Sequence, residues 1–269
     1  MSVRGASAEA VAGLRDRLAG VPDPSTDLGR DLFGIAAVLR SEPALRRLAT
    51  DVSTDSAAKA GLMRSLFDGK VDAVALDLVA DAVSRRWTAT RDLADALELL
   101  GVIAVVRSGG ATAAQASRLA DELFGIAQTI NDNPELRTAL SDPARSTGDK
   151  RELLRTLLEG KVLPESLVLA EQALSGAYRT VNLALTEFQK VAASVRKESV
   201  AEVRVAQDLS DAERTRLQRA LTQQYGREVH LNVVVDPSLL GGMRVEIGDD
   251  VIDGTVAGRI DEARRKLAG

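Results

Sequence analysis

The sequence predicts a mainly α protein, two tandem helical bundles related by internal duplication and followed by a small α+β C-terminal domain. Three observations lead there. Residues 28–90 recur without a gap 91 positions later, with 21 of 63 positions identical, where unrelated chains of ordinary composition match at roughly 7%. Aromatic residues are only 3% of the chain, and cores poor in rings but rich in Ala, Leu and Val favour helices packed closely side by side. Beyond Val200 the apolar period changes to simple alternation, which marks strands. The expected domains are 1–109 (first bundle), 110–198 (second bundle) and 199–269 (α+β).

Each element has a local reason. Val11, Leu14 and Leu18 stand at helical spacing in residues 6–19, and Gly20, Pro22 and Pro24 end that helix. Ser25 is an N-cap residue for a second helix carrying Leu28, Leu32, Ile35 and Leu39, and Pro43 starts a short continuation through Leu48. Residues 57–67 form a helix closed by Asp68-Gly69, then 73–89 and 93–106 give two more, until Ser108-Gly109-Gly110 breaks the pattern. The second copy repeats this punctuation over 112–130, 134–140, 148–158, 165–178 and 181–195, with Gly160 in the place of Gly69 and Tyr178 in that of Trp87. Each of those two rings is expected to plug a gap in its bundle. Copy two lacks a leading helix of its own, so residues 93–106 are expected to finish the first bundle and open the second.

In the tail, Val203 and Val205 begin a strand, and Ser210-Asp211-Ala212-Glu213 is a capping box for a helix through Leu217 and Leu221. Val229, Leu231, Val233 and Val235 alternate as a second strand that Asp236-Pro237 halts. Residues 242–247 and 251–253 make a hairpin about Gly248-Asp249-Asp250, and 255–267 a last helix.

Bulk properties narrow the function. Apolar content of 45% with 28% charged residues describes a globular chain. A net charge of −4 with interspersed signs leaves little attraction for a phosphate backbone, so nucleic acid is not an expected partner. Arginine outnumbers lysine 28 to 7, which reads as the coding bias of a GC-rich genome. The absence of cysteine removes disulfides, thiolate metal sites and cysteine nucleophiles. No signal peptide is visible and no apolar run is long enough to span a bilayer.

Enzymatic chemistry lacks parts. The single histidine, His230, lies within a predicted strand and is expected to face solvent, so no His cluster or Cys/His pair can form. Gly241-Gly242 is not followed by the lysine and hydroxyl of a phosphate loop, and a turn explains it better. Asp249, Asp250 and Asp253 crowd a hairpin without the spacing of a calcium loop. No catalytic residue, cofactor or metal is expected.

The run from Val229 to Gly248, Val-His-Leu-Asn-Val-Val-Val-Asp-Pro-Ser-Leu-Leu-Gly-Gly-Met-Arg-Val-Glu-Ile-Gly, resembles the signature of the ATP synthase delta subunit, or oligomycin-sensitivity-conferral protein, family. The signature positions here are Val235, Asp236, Leu239, Gly241, Gly242 and Gly248. The continuation through Asp253, Gly254 and Arg259 resembles the family's ending. Residues 133–160 are similar to part of its helical bundle, so copy two plus the tail equals an ordinary member and copy one is extra, as in an enlarged, actinobacterial-type form.

The resemblance implies a non-catalytic subunit of the peripheral stalk, or stator, of an F-type ATP synthase. It joins the alpha/beta catalytic head to the b-type stalk and resists rotor torque during proton-driven ATP synthesis. The implied partners are the N-terminal helices of the alpha subunit, the b-type subunit and, left open, the beta subunit. The implied place is the cytoplasmic face of the bacterial plasma membrane, peripheral, in one copy per complex. Two related bundles offer two helix-docking grooves. Candidate walls are Val11, Leu14 and Leu18 with Leu76, Val79 and Val83 in copy one, and Leu97 and Leu100 with Leu167, Leu169 and Leu174 in copy two. A second class, an α-helical repeat adaptor with a β-rich tail, fits the bundles but not the tail motif.

Overall fold

The computed structural model describes residues 4–109, 113–225, 229–247 and 250–256. Helices α1 (Ala6–Ala19), α2 (Thr26–Ser41), α3 (Pro43–Thr50), α4 (Ser56–Phe67), α5 (Ala73–Ser84) and α6 (Thr90–Ser108) form the first copy. Then come α7 (Ala113–Asp132), α8 (Pro134–Ser141), α9 (Thr147–Leu158), α10 (Pro164–Gln172) and α11 (Val181–Ser199). The tail holds β1 (Val200–Val205), α12 (Asp211–Tyr225), β2 (His230–Val235), β3 (Met243–Ile247) and β4 (Asp250–Asp253). The protein is therefore mainly α with a C-terminal α+β part. The expected terminal helix lies outside the described residues.

The same local chemistry sets the helix ends of both copies. Pro43 and Pro134 each open a helix at its first turn, where a missing N–H costs nothing. Ser25, Asp55 and Asp72 accept backbone N–H bonds as N-caps, and Ser146 does so for α9. Gly69 and Gly160 stand past α4 and α9 with φ of 67° and 73°, the left-handed turn that glycine permits most readily. Arg46 Nη1 donates to the Arg40 carbonyl at 3.1 Å, and Arg137 Nη1, 91 residues on, to the Asn131 carbonyl at 3.1 Å. Asp31 Oδ2 accepts from Asp72 N at 2.7 Å, and Glu122 Oε2 from Leu163 N at 2.7 Å. Helices α2 to α6 and α7 to α11 start in register at the 91-residue offset except α7.

Two helices stop earlier than their periodicity predicts. Helix α5 ends at Ser84, not at residue 89, and there the Ala82 carbonyl accepts both Arg85 N at 3.3 Å and the Trp87 indole N–H at 2.9 Å, which satisfies a C-terminal acceptor. Helix α10 ends at Gln172 instead of 178, and its chain turns through Leu174 N to the Glu171 carbonyl at 3.3 Å and Ser175 N to the Gln172 carbonyl at 3.0 Å.

Contacts divide the chain into two compact units, residues 1–110 with 115–192, and 111–114 with 193–269. The first copy and most of the second, residues 115–192, fall in the first. Its core centres on α6, which packs against α1, α2, α3, α5 and α10 and buries Leu93, Leu97, Leu100, Val102 and Val105. In the second unit the sheet order is β2-β1-β3-β4, with β1 parallel to β2 and antiparallel to β3. Ala201, Val203, Val205, Val245 and Ile247 share the buried face with Leu221 of α12. The Ser210 capping box forms, Ser210 N donating to Glu213 Oε2 at 2.9 Å.

Candidate functional site

The first candidate face lies between α1 and α5. Leu14, Leu18, Val79 and Val83 are closed to solvent and Val11 is nearly so, while Leu76 is half-buried. These positions make the helix–helix core, and of the six only Leu76 keeps appreciable surface at the rim. Polar bonds pin α1 at both ends. The Ser7 hydroxyl donates to Asp92 Oδ2 at 2.7 Å and accepts Thr88 N at 2.8 Å. Arg107 donates to the Leu18 and Val21 carbonyls at 2.6 and 2.9 Å, satisfying the C-terminal end.

The corresponding face of copy two lies between α6 and α10, which pack together as α1 and α5 do. Leu97, Leu100 and Leu169 are buried, whereas Leu167 and Leu174 are half-buried. Here α6 carries a carboxylate inside. Glu98, 3% exposed, accepts from Arg40 Nη2 at 2.6 Å, Gln172 Nε2 at 2.7 Å and Ala177 N at 3.0 Å. A Cβ on Gly176 would overlap Glu98 Oε1. Beside this cluster a cavity of about 180 Å³ is lined by Asp95, Leu99, Val102, Tyr178, Phe188 and Val191, among others. Tyr178 meets Phe188 edge-on, ring centroids 5.8 Å apart. Burial, and then the Glu98 charge, push the Tyr178 phenol up to about 12. Trp87 is buried and Tyr178 partly so, the latter beside α6 as well as Phe188.

The copies differ at one shared aromatic. Phe33 is 7% exposed and its ring covers Gly101, where a Cβ would come 2.5 Å from Phe33 Cε1. Its counterpart Phe124 is 56% exposed. Gly29 and Gly101 bring α2 and α6 together in copy one, a Cβ on Gly29 lying 2.9 Å from the Gly101 carbonyl oxygen. The equivalent residues in copy two are Ala120 and Ala192.

In the C-terminal unit the signature residues shape turns. Asp236 Oδ1 accepts from Ser238 N at 2.9 Å and Ser238 Oγ at 2.6 Å, and those bonds hold its carboxyl below the usual range. Asp253 does the same with Thr255, side chain first, at 2.7 and 2.9 Å. Gly241 and Gly242 have φ of 147° and 82°, and a Cβ on Gly242 would strike the Gly254 carbonyl oxygen and lie 2.9 Å from Thr255 Cα. Gly254 N donates to the Met243 carbonyl at 2.9 Å and Val256 N to that of Gly241 at 3.0 Å, closing the two turns on each other. Leu239 is half-buried, Val235 exposed, and Leu240 84% exposed. Gly248 and Arg259 lie outside the described residues, as does the side chain of His230.

Among the described residues no group of three or more His, Cys, Asp or Glu side chains could hold a metal ion. No helix among them is long and apolar enough to cross a membrane. Sequence reasoning overlooked Glu98, Gln172 and Gly176. The signal was present, since Glu98 interrupts the apolar run Leu97-Glu98-Leu99-Leu100, and a charge on a buried helical stripe needs a partner.

A model of the family described as ATP synthase delta (OSCP) subunit matches residues 104–267. The match starts within α6, so it takes in copy two and the tail and leaves out most of copy one. Curated relatives align over more. A protein of Nocardioides sp. named ATP synthase subunit delta is 59% identical across 100% of this chain and 98% of its own length. Proteins of the same name from Kineococcus radiotolerans and Thermobifida fusca are 45% and 41% identical, each over 90% of this chain and over 87% and 90% of their own.

Proposed function

The chain belongs to the ATP synthase delta (OSCP) subunit family, and from that membership we propose that it is a non-catalytic stator subunit. It links the alpha/beta head to the b-type stalk and returns rotor torque to the membrane-embedded part. The observation that carries this reading is the family match over residues 104–267, which takes in copy two and the tail and includes the turn-forming residues 235–254. The physics agrees, because a torque joint needs several simultaneous helix and strand contacts, which raise holding strength through effective concentration. In this reading the protein is peripheral, on the cytoplasmic face of the plasma membrane, present once per complex and monomeric when isolated.

Alpha-subunit N-terminal helices dock over the α1/α5 and α6/α10 faces, touching the rim residues Leu76, Leu167 and Leu174 above the buried leucines and valines. The b-type stalk meets the C-terminal unit, where Leu240, Val251 and Ile252 are exposed. The two helical copies are proposed to descend from one duplicated module. Pull-down from detergent-solubilised membranes, with this chain as bait, tests the stalk assignment: alpha, beta and b-type subunits should come down in stoichiometric amounts. Recovery of none with folded bait rejects it. Titration of the whole chain with an alpha N-terminal peptide tests the faces, and Leu167→Asp should weaken the heat signal while Phe33→Leu should not.

A further inference from the structure

We propose that α6 serves both copies at once and that the Glu98 cluster is the latch that makes them one rigid lever. This does not rest on the stalk reading, because it concerns only how the first unit is joined. The 91-residue offset places α6 twice. As the last helix of copy one it starts in register with α11, and as the first helix of copy two it stands where α1 stands. The packing agrees, for α1 lies on α5 and α6 lies on α10.

The polar pins agree as well. Ser7 of α1 corresponds to Glu98 of α6. Ser7, 0% exposed, takes Thr88 N and so ties α1 to the segment that follows α5. Glu98 takes Ala177 N and so ties α6 to the segment that follows α10. The charge adds what a hydroxyl lacks. Arg40 of α2 reaches Glu98 Oε2 from copy one, and Gln172 of α10 reaches Oε1 from copy two, so one carboxylate is shared across the repeat boundary. The carboxylate occupies the space that a Cβ on Gly176 would take. A buried carboxylate stripped of its partners must find water, so loosening the cluster opens the α6/α10 seam and lets copy two swing against copy one.

The chain contains no cysteine, so two can be added as clean labelling sites. Ser65 on α4 and Thr156 on α9 are exposed and occupy equivalent places. Spin labels on the Ser65→Cys, Thr156→Cys full-length chain should give one narrow distance distribution. Gly176→Ala, which drives a methyl into Glu98 Oε1, and Gln172→Leu, which removes the cross-copy donor at similar volume, should each lose the narrow peak and shift it to longer distance at unchanged helicity. Arg64→Ala, which cuts only the surface pair with Asp77 inside copy one, should leave the peak in place. The proposal is overturned if both latch variants keep the parent distribution. It is equally overturned if both lose copy-two helicity outright, since the cluster would then be a folding element of copy two alone.

Discussion

Copy one and copy two share helix ends, cap chemistry and turn glycines, yet they bury their common aromatic differently. Phe33 lies sealed over Gly101, and Phe124 stands in solvent. The residues that decide this are small. Gly29 and Gly101 let two helix backbones approach closely enough for the ring to cap the crossing, and copy two has alanine at both places. Helix boundaries are thus properties of local punctuation, while which face is core depends on single methyl groups at a crossing point. Copy one also carries α1 as a cover of its own, whereas copy two borrows α6.

The largest test of this contrast is the aromatic itself. Phe33→Ala should cost about 3–5 kcal/mol, and Phe124→Ala should stay within about 0.5 kcal/mol, both read from urea midpoints by circular dichroism. Equal costs would refute the contrast. Next comes the crossing: Gly101→Ala should destabilise by about 1–3 kcal/mol, because the new methyl meets the Phe33 ring. Gly34 sits in α2 next to Phe33 with no atom within 4 Å of a would-be Cβ, so Gly34→Ala should stabilise by about 0.5–1 kcal/mol. A destabilised Gly34→Ala would show that something other than helix propensity holds that position.

The smallest expected effect separates the copies by pH. Burial pulls Glu122 upward, but hydrogen bonds from Leu163 N, Ser166 Oγ and Arg118 outweigh it and hold the carboxyl below its ordinary value. A folded pKa below the unfolded one means stability that is present above the unfolded pKa and lost as pH falls through the folded one. The gap between wild type and Glu122→Gln should therefore be open at neutral pH and close below about pH 4. A gap that does not change with pH would assign Glu122 a packing role instead.

Much of the architecture could be read from residues alone. Ser25, Pro43, Gly69 and their counterparts 91 positions on announced helix ends through chemistry confined to a few neighbours. The switch at Val200 announced strands through period. What escaped were effects that act at a distance along the chain. The end of α5 is capped by the Trp87 indole reaching back to the Ala82 carbonyl, and Glu98 is tolerated because Arg40 and Gln172 arrive from elsewhere. The groove candidates met a different obstacle, since a core position and a groove wall have the same spacing on a helix. Leu14 and Leu76 looked alike in sequence, and folding closed one and left the other at the rim. In the tail, Gly242 was legible as a glycine-only turn, but its near contact with Gly254 joins residues that no local pattern relates.

Trp87 has one more use. It is the sole tryptophan of the chain, buried with its N–H on the Ala82 carbonyl at the end of α5. Ultraviolet emission excited at the red edge of protein absorbance therefore originates in copy one. A red shift of that emission signals water reaching the turn between α5 and α6, whatever copy two is doing. The protein thus carries a built-in optical label on its first copy, which can be followed without attaching a dye.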